Sequence, residues 1–147
     1  MENPQNELEN IMNQINIYKN QAEIVQQQID TIQTSLNEVG ILEATIGDVQ
    51  GKNVLNTLVP VGAGSFMEAE ISNTNDIIMS IGAGVAIRKN IEDAKKTVDQ
   101  QKKELQQSLD KMLVNLEKIS SVISQLSPKA EELMMKAQMN RQPQMSM

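Results

Sequence analysis

The sequence has no cysteine and no histidine. That removes disulfides, thiolate nucleophiles, imidazole bases and most zinc sites. Aromatic side chains are nearly missing, Tyr18 and Phe66 being the only two. Aromatics usually dominate globular cores, so any core here has to be built from Ile, Leu, Val, Met and Ala. Long thin assemblies need such residues only along a seam. No apolar run approaches the roughly 18 to 20 residues that span a bilayer, and the longest apolar-leaning stretch, residues 77–87, is broken by Ser80 and two glycines. Residues 1–10 are polar and acidic, so no signal peptide is expected. The formal net charge is -6, which disfavours nucleic acid, whose binding needs a basic face to displace counterions. The expectation is a cytoplasmic, non-enzymatic binding protein with no nucleic-acid or membrane partner, no metal and no cofactor.

What is present is a heptad repeat. Apolar residues fall at Leu8, Ile11, Ile15, Tyr18, Ala22, Val25, Ile29, Ile32, Leu36 and Val39, with steps alternating three and four. That is the a/d spacing of a coiled coil. The intervening positions are mostly Gln, Asn, Glu, Lys and Asp, so the helix hides one narrow stripe and wants one or two partner helices. Asn3 suits the cap and Pro4 the first helical position. Gly40 and Gly47 each weaken the helix by about 1 kcal/mol relative to Ala. Leu42, Ile46 and Val49 nevertheless keep the spacing, which predicts a helix continuing to about residue 50.

A second seam runs through Ile87, Ile91, Ala94, Val98, Gln101, Leu105, Leu109, Met112, Leu116, Ile119, Ile123, Leu126, Ala130, Leu133 and Ala137. Gln101 is its only polar member, and two four-residue steps meet at Leu105. Such a stutter locally unwinds a left-handed supercoil, and Gln101 reads as a register marker or a solvated seam site rather than a ligand site. Pro128 falls inside the pattern and removes one backbone hydrogen bond, with Ser127 placed to cap a restarted segment. Half of the ten methionines lie in the last fourteen residues: Met134, Met135, Met139, Met145 and Met147.

Between the seams the period changes. Residues 58–61 form a short apolar run, and residues 65–71 alternate, with Met67, Ala69 and Ile71 on one face and Phe66, Glu68 and Glu70 on the other. Residues 77–81 and 85–88 are rich in β-branched side chains. These are strand signals. Val61-Gly62-Ala63-Gly64 recurs as Ile81-Gly82-Ala83-Gly84, each copy between two strand-like runs, and glycine there permits the positive φ that tight hairpins require. Two β-hairpins result, joined by the polar turn at residues 72–76. A phosphate loop does not fit: residues 47–52 are one residue short of the P-loop spacing and are followed by Asn53 rather than Ser or Thr.

The parts predict an α+β chain. An N-terminal coiled-coil helix occupies 1–50, two β-hairpins 51–88, a C-terminal coiled-coil helix 89–140 and a flexible tail 141–147. The helices fold back as an antiparallel pair with the hairpins at the bend. At about 1.5 Å per residue each helix is on the order of 70 Å long. An isolated two-stranded hairpin is marginal in water, so the hairpins are expected to form the oligomerisation body. The apolar residues available for that are Leu58, Val59, Val61, Phe66, Met67, Ile71, Ile78, Ile81, Val85 and Ile87.

Heptad helix, two hairpins and heptad helix, with LVPVGAGSF at residues 58–66 and IMSIGAGVAI at residues 78–87, resemble the α-type subunit of archaeal prefoldin over nearly the whole chain. β-type subunits of that family carry a single hairpin. The resemblance implies a hexamer of two α with four β subunits, its strands forming a body from which coiled coils project. It implies capture of unfolded polypeptides without ATP and delivery to a group II chaperonin. Capture is expected at the end of the second helix, which outlasts the first, through Leu126, Leu133, Met134, Met135 and Met139. Methionine is flexible and polarizable enough to repack against many apolar surfaces. The alternative is a structural coiled-coil tether or scaffold, which leaves the doubled hairpin unexplained. Glu7, Asp30 and Asp110 read as helix-surface charges rather than parts of a catalytic constellation.

Overall fold

The computed structural model describes residues 3–141. The element order is α1 (Pro4–Val49), β1 (Leu55–Gly62), β2 (Ser65–Ile71), β3 (Asp76–Gly82), β4 (Val85–Asn90) and α2 (Ile91–Arg141). The class is α+β, with two long helices and two small antiparallel hairpins between them. Of the expected tail, Arg141 closes α2, and the remainder, with Met145 and Met147, lies outside the described residues.

Asn3 starts α1. Its side-chain Oδ1 accepts from the Gln5 N–H at 3.3 Å and its carbonyl accepts from the Asn6 and Glu7 N–H groups at 2.9 and 3.1 Å. These contacts satisfy donors that a helix N-terminus otherwise leaves orphaned. α1 passes through Gly40 and Gly47 without a break. The helices obey the heptad pattern, with the a/d positions of α1 buried or half-buried and Gln, Asn and Glu between them mostly exposed. In α2, Gln101 is exposed while Val98 and Leu109 on either side of it are buried.

The chain divides into two compact units. One comprises the chain up to Gln33 together with Ser108 onward. Its core is the seam itself: Ile15, Val25 and Ile29 from α1, and Leu109, Ile119 and Ala130 from α2, are all buried. Full burial of an aliphatic side chain stabilises by about 1.5–3 kcal/mol, which is the main favourable term open to a layer two helices thick. Pro128 does not restart α2, and the helix runs unbroken through it. Ser127 is therefore not a cap. Its hydroxyl donates to the Ile123 carbonyl at 2.8 Å, one turn back, the arrangement that Ser adopts inside a helix.

The other unit is Thr34–Gln107. Ile46, Ile91, Ala94 and Val98 form a buried cluster, with Val39, Leu42, Ile77 and Met79 packed against it. Here β3 lays one face on the helices. The second helix begins later than its apolar spacing suggests. Ile87, Lys89 and Asn90 belong to β4, and Ile87 is not a seam residue. The strand ends because Asn90 caps α2, its Oδ1 accepting from the Asp93 N–H at 2.8 Å. The Ile91 N–H donates to the Asn75 carbonyl at 2.8 Å, and Lys89 Nζ donates to Thr97 Oγ1 at 2.8 Å. Strand and helix are thereby tied at their junction.

The hairpins form two separate two-stranded sheets, β1 with β2 and β3 with β4. Both turns are two-residue loops, because Gly62 pairs with Ser65 and Gly82 with Val85. Each is preceded by an irregularity, between Pro60 and Gly62 in one and between Ser80 and Gly82 in the other. The loop residues Ala63 and Gly64, and Ala83 and Gly84, all have positive φ, as type I′ loops require. β1 starts at Leu55, three residues before its continuous apolar run begins.

Candidate functional site

Two surfaces leave apolar groups open, and each follows from the local chain. The first is the hairpin surface. In β1 and β2 the direct pairs Leu55 with Ile71, Thr57 with Ala69, and Val59 with Met67 share one face. The pairs Leu58 with Glu68 and Pro60 with Phe66 share the other. Leu58, Val59, Val61, Phe66, Met67 and Ile71 are exposed. In β3 and β4 the core-facing side carries Ile77 and Met79, so Ile78, on the opposite face, is left exposed, as are Ile81 and Val85 near the turn. Ile87 departs from this set. It pairs with Met79 on the core-facing side and is half-buried. Clusters of open apolar side chains mark contact surfaces.

The second surface is where the first turns of α1 lie beside the last turns of α2. Leu8 and Met12 from α1, and Met134 and Ala137 from α2, line a groove of about 460 Å³ on one flank of the seam, with Gln5, Glu9 and Gln138 at its rim. The other flank differs. There Ile11 and Leu133 are surrounded by Glu7, Asn10, Gln14, Lys129, Glu132 and Lys136. Both helices place their a/d residues on the seam, so the residue next to the seam decides the character of each flank. On one side that residue is Met12 or Met134, and on the other it is charged or an amide.

The expected tip residues divide accordingly. Met134, Met135 and Met139 are 47%, 68% and 75% exposed. Leu126 and Leu133 are not left open: both are half-buried, and Leu133 shares its flank of the seam with Ile11 from α1. Met12, 41% exposed, belongs to the groove and is not evident from the second helix alone. Its signal is its position four residues after the seam residue Leu8. Among the described residues no His, Cys, Asp and Glu side chains are grouped to hold a metal ion. None of the described helices is long and apolar enough to cross a membrane.

Comparison with known proteins agrees with this architecture. A family model described as Prefoldin subunit matches residues 18–136. The chain is 44% identical over 63 residues to prefoldin subunit alpha of Methanobrevibacter smithii, covering 43% of each chain. It is 35% identical over 63 residues to prefoldin subunit alpha of Methanosphaera stadtmanae, covering 43% of this chain and 45% of that one. The matches thus span less than half the length of these relatives. Among solved structures, filamentous PFD from Methanocaldococcus jannaschii superposes with a TM-score of 0.54 at 20% identity, covering 83% of this chain and 96% of that one. That likeness concerns the fold. Since the family model takes in most of α1, both hairpins and most of α2, the chain belongs to the prefoldin subunit family.

Proposed function

We propose that this chain is the α-type subunit of a cytoplasmic, nucleotide-independent holding chaperone. It assembles through its hairpins with β-type subunits, two α with four β. It captures unfolded polypeptides at its helix ends and passes them to a group II chaperonin. The observation that carries the capture step is the groove lined by Met12 and Met134, with Met135 and Met139 exposed in the same last turns of α2 but outside the groove. An unfolded chain presents apolar side chains of many shapes. A promiscuous site needs side chains that repack, and unbranched methionine does so at little cost. The assembly step is supported by sheets of two strands each, whose open apolar residues need partners to be stable.

The test uses the chain assembled with a β-type prefoldin subunit and a chemically denatured model protein, without nucleotide. The assembly should suppress aggregation on dilution. Replacing Met12, Met134, Met135 and Met139 together by Gln should leave the complex intact by native mass spectrometry and reduce suppression several-fold. Substitution is cleaner than truncation after Ser127, which also removes the buried Ala130 and the half-buried Leu133 from the seam. A structural tether would suppress nothing. Full activity in the Gln variant would move capture away from these residues.

A further inference from the structure

We propose that Met12 and Met134 in the groove, with Met135 and Met139 exposed on the same last turns of α2, are a reversible oxidation site, at which conversion of thioether to sulfoxide switches off capture at the helix ends. The proposal rests on the capture reading. The chain has ten methionines and no cysteine, so methionine is its only sulfur and no thiol competes for an oxidant. Its methionines are not equally placed. Met79 packs against the buried cluster of Ile46, Ile91, Ala94 and Val98, and Met112 is a half-buried seam residue. Met134, Met135 and Met139 are exposed, and Met12 joins Met134 in the groove; Met67 is exposed too, but on the hairpin surface that the proposed assembly covers. Susceptibility follows exposure, and the product is a polar, chiral side chain in place of a flexible apolar one. Sulfoxides on both walls would present hydrogen-bond acceptors to an apolar client side chain, which cannot satisfy them on leaving water.

The chemistry needs a two-electron oxidant of the peroxide class. The sulfur lone pair attacks one peroxide oxygen, the O–O bond breaks, and an S–O bond forms. Sulfur loses two electrons, the second oxygen leaves as hydroxide, and the proton on the sulfur-bound oxygen passes to it, giving the sulfoxide and water. The return step needs a dithiol reductase, which takes the oxygen away as water and becomes a disulfide.

The experiment treats the assembled complex with graded hydrogen peroxide, maps each methionine by peptide mass spectrometry, and measures aggregation suppression on the same samples. Met134, Met135 and Met139 should oxidise before Met79 and Met112. Suppression should fall several-fold in step with them, and methionine sulfoxide reductase with a dithiol should restore it. A variant carrying Leu at all four positions is read only as the ratio of suppression after peroxide to suppression before, and that ratio should stay near one. Equal oxidation of Met134 and Met112 would overturn the site. Undiminished suppression by fully sulfoxidised protein, or an equal peroxide loss in the Leu variant, would overturn the switch. An untreated complex that suppresses nothing refutes the capture reading and the switch with it, whereas the oxidation map decides the site by itself.

Discussion

The Thr74 hydroxyl donates a hydrogen bond to the backbone carbonyl of Lys52, tying the linker between the hairpins to the turn that follows α1. Thr74 is the one polar residue buried from solvent among those described. Neighbouring contacts fix the same linker: the Asn75 N–H donates to Asn73 Oδ1 at 3.1 Å, and the Asn75 carbonyl receives the first N–H of α2. Thr74→Val keeps the shape and removes the donor to a part-buried bond, at a cost of about 1 kcal/mol. Chemical denaturation should show that loss, and Thr74→Ser should recover most of it. Equal stability of the Val variant would show that water replaces the hydroxyl freely.

The hairpin surface can be tested by charge. Ile78 and Ile81 are exposed on the single chain, so Asp at either position should barely affect the folding of the helices. Within an assembly whose body contains the hairpins, the same carboxylate would be buried without a partner, which costs several kcal/mol per ion. Native mass spectrometry of Ile78→Asp and Ile81→Asp mixed with a β-type subunit should show free subunits, with helical circular dichroism unchanged. Normal assembly of both variants would exclude these residues from the contact.

Gly40 and Gly47 lie inside α1, and a Cβ built at either meets nothing within 4 Å. Neither glycine is there to allow a close approach within the chain. Gly40→Ala and Gly47→Ala should each stabilise the helix by about 1 kcal/mol, the propensity difference between the two residues. Thermal unfolding should report the gain. Destabilisation of the assembled complex by either change, with the single chain stabilised, would place a partner subunit against that stretch of α1.

Much of this fold is legible in the sequence, for a physical reason. A narrow seam requires an apolar residue every three or four positions, so Ile15, Ile29, Ile119 and Ala130 declare themselves without reference to anything distant. The repeated Gly-Ala-Gly likewise announces two tight turns. The alanine within each turn also has positive φ, a strained conformation for a residue with a Cβ, and composition carries no sign of it. The start of α2 is obscured because Ile87 sits four residues before Ile91, so the strand's inward side chain continues the helical spacing by coincidence. The groove is the least legible part. Whether Leu133 is covered and Met134 open depends on how far α1 reaches beside α2 and on which flank Met12 falls, and neither follows from the pattern of one helix.

The seam can be probed at two adjacent positions that the structure separates. Ile119 is buried, and Leu116, one step earlier in the same seam, is only half-buried. Both belong to the unit that contains the helix ends, and neither lies among the hairpins. Ile119→Ala removes buried methylenes and leaves a cavity, which costs about 2–5 kcal/mol in a well-packed site. Leu116→Ala gives up less, because part of its side chain already meets water and the gap can fill with solvent. Denaturation should therefore rank Ile119→Ala below Leu116→Ala, and hydrogen exchange should place the weakening in α1 and α2 rather than in the strands. If the hairpins build the body, both variants should still assemble with β-type subunits at unchanged stoichiometry, since the damage loosens a pair of helices and leaves the sheets alone. Loss of the assembly from Ile119→Ala with helicity unchanged would contradict that division, showing that the seam and the body fold as one cooperative structure.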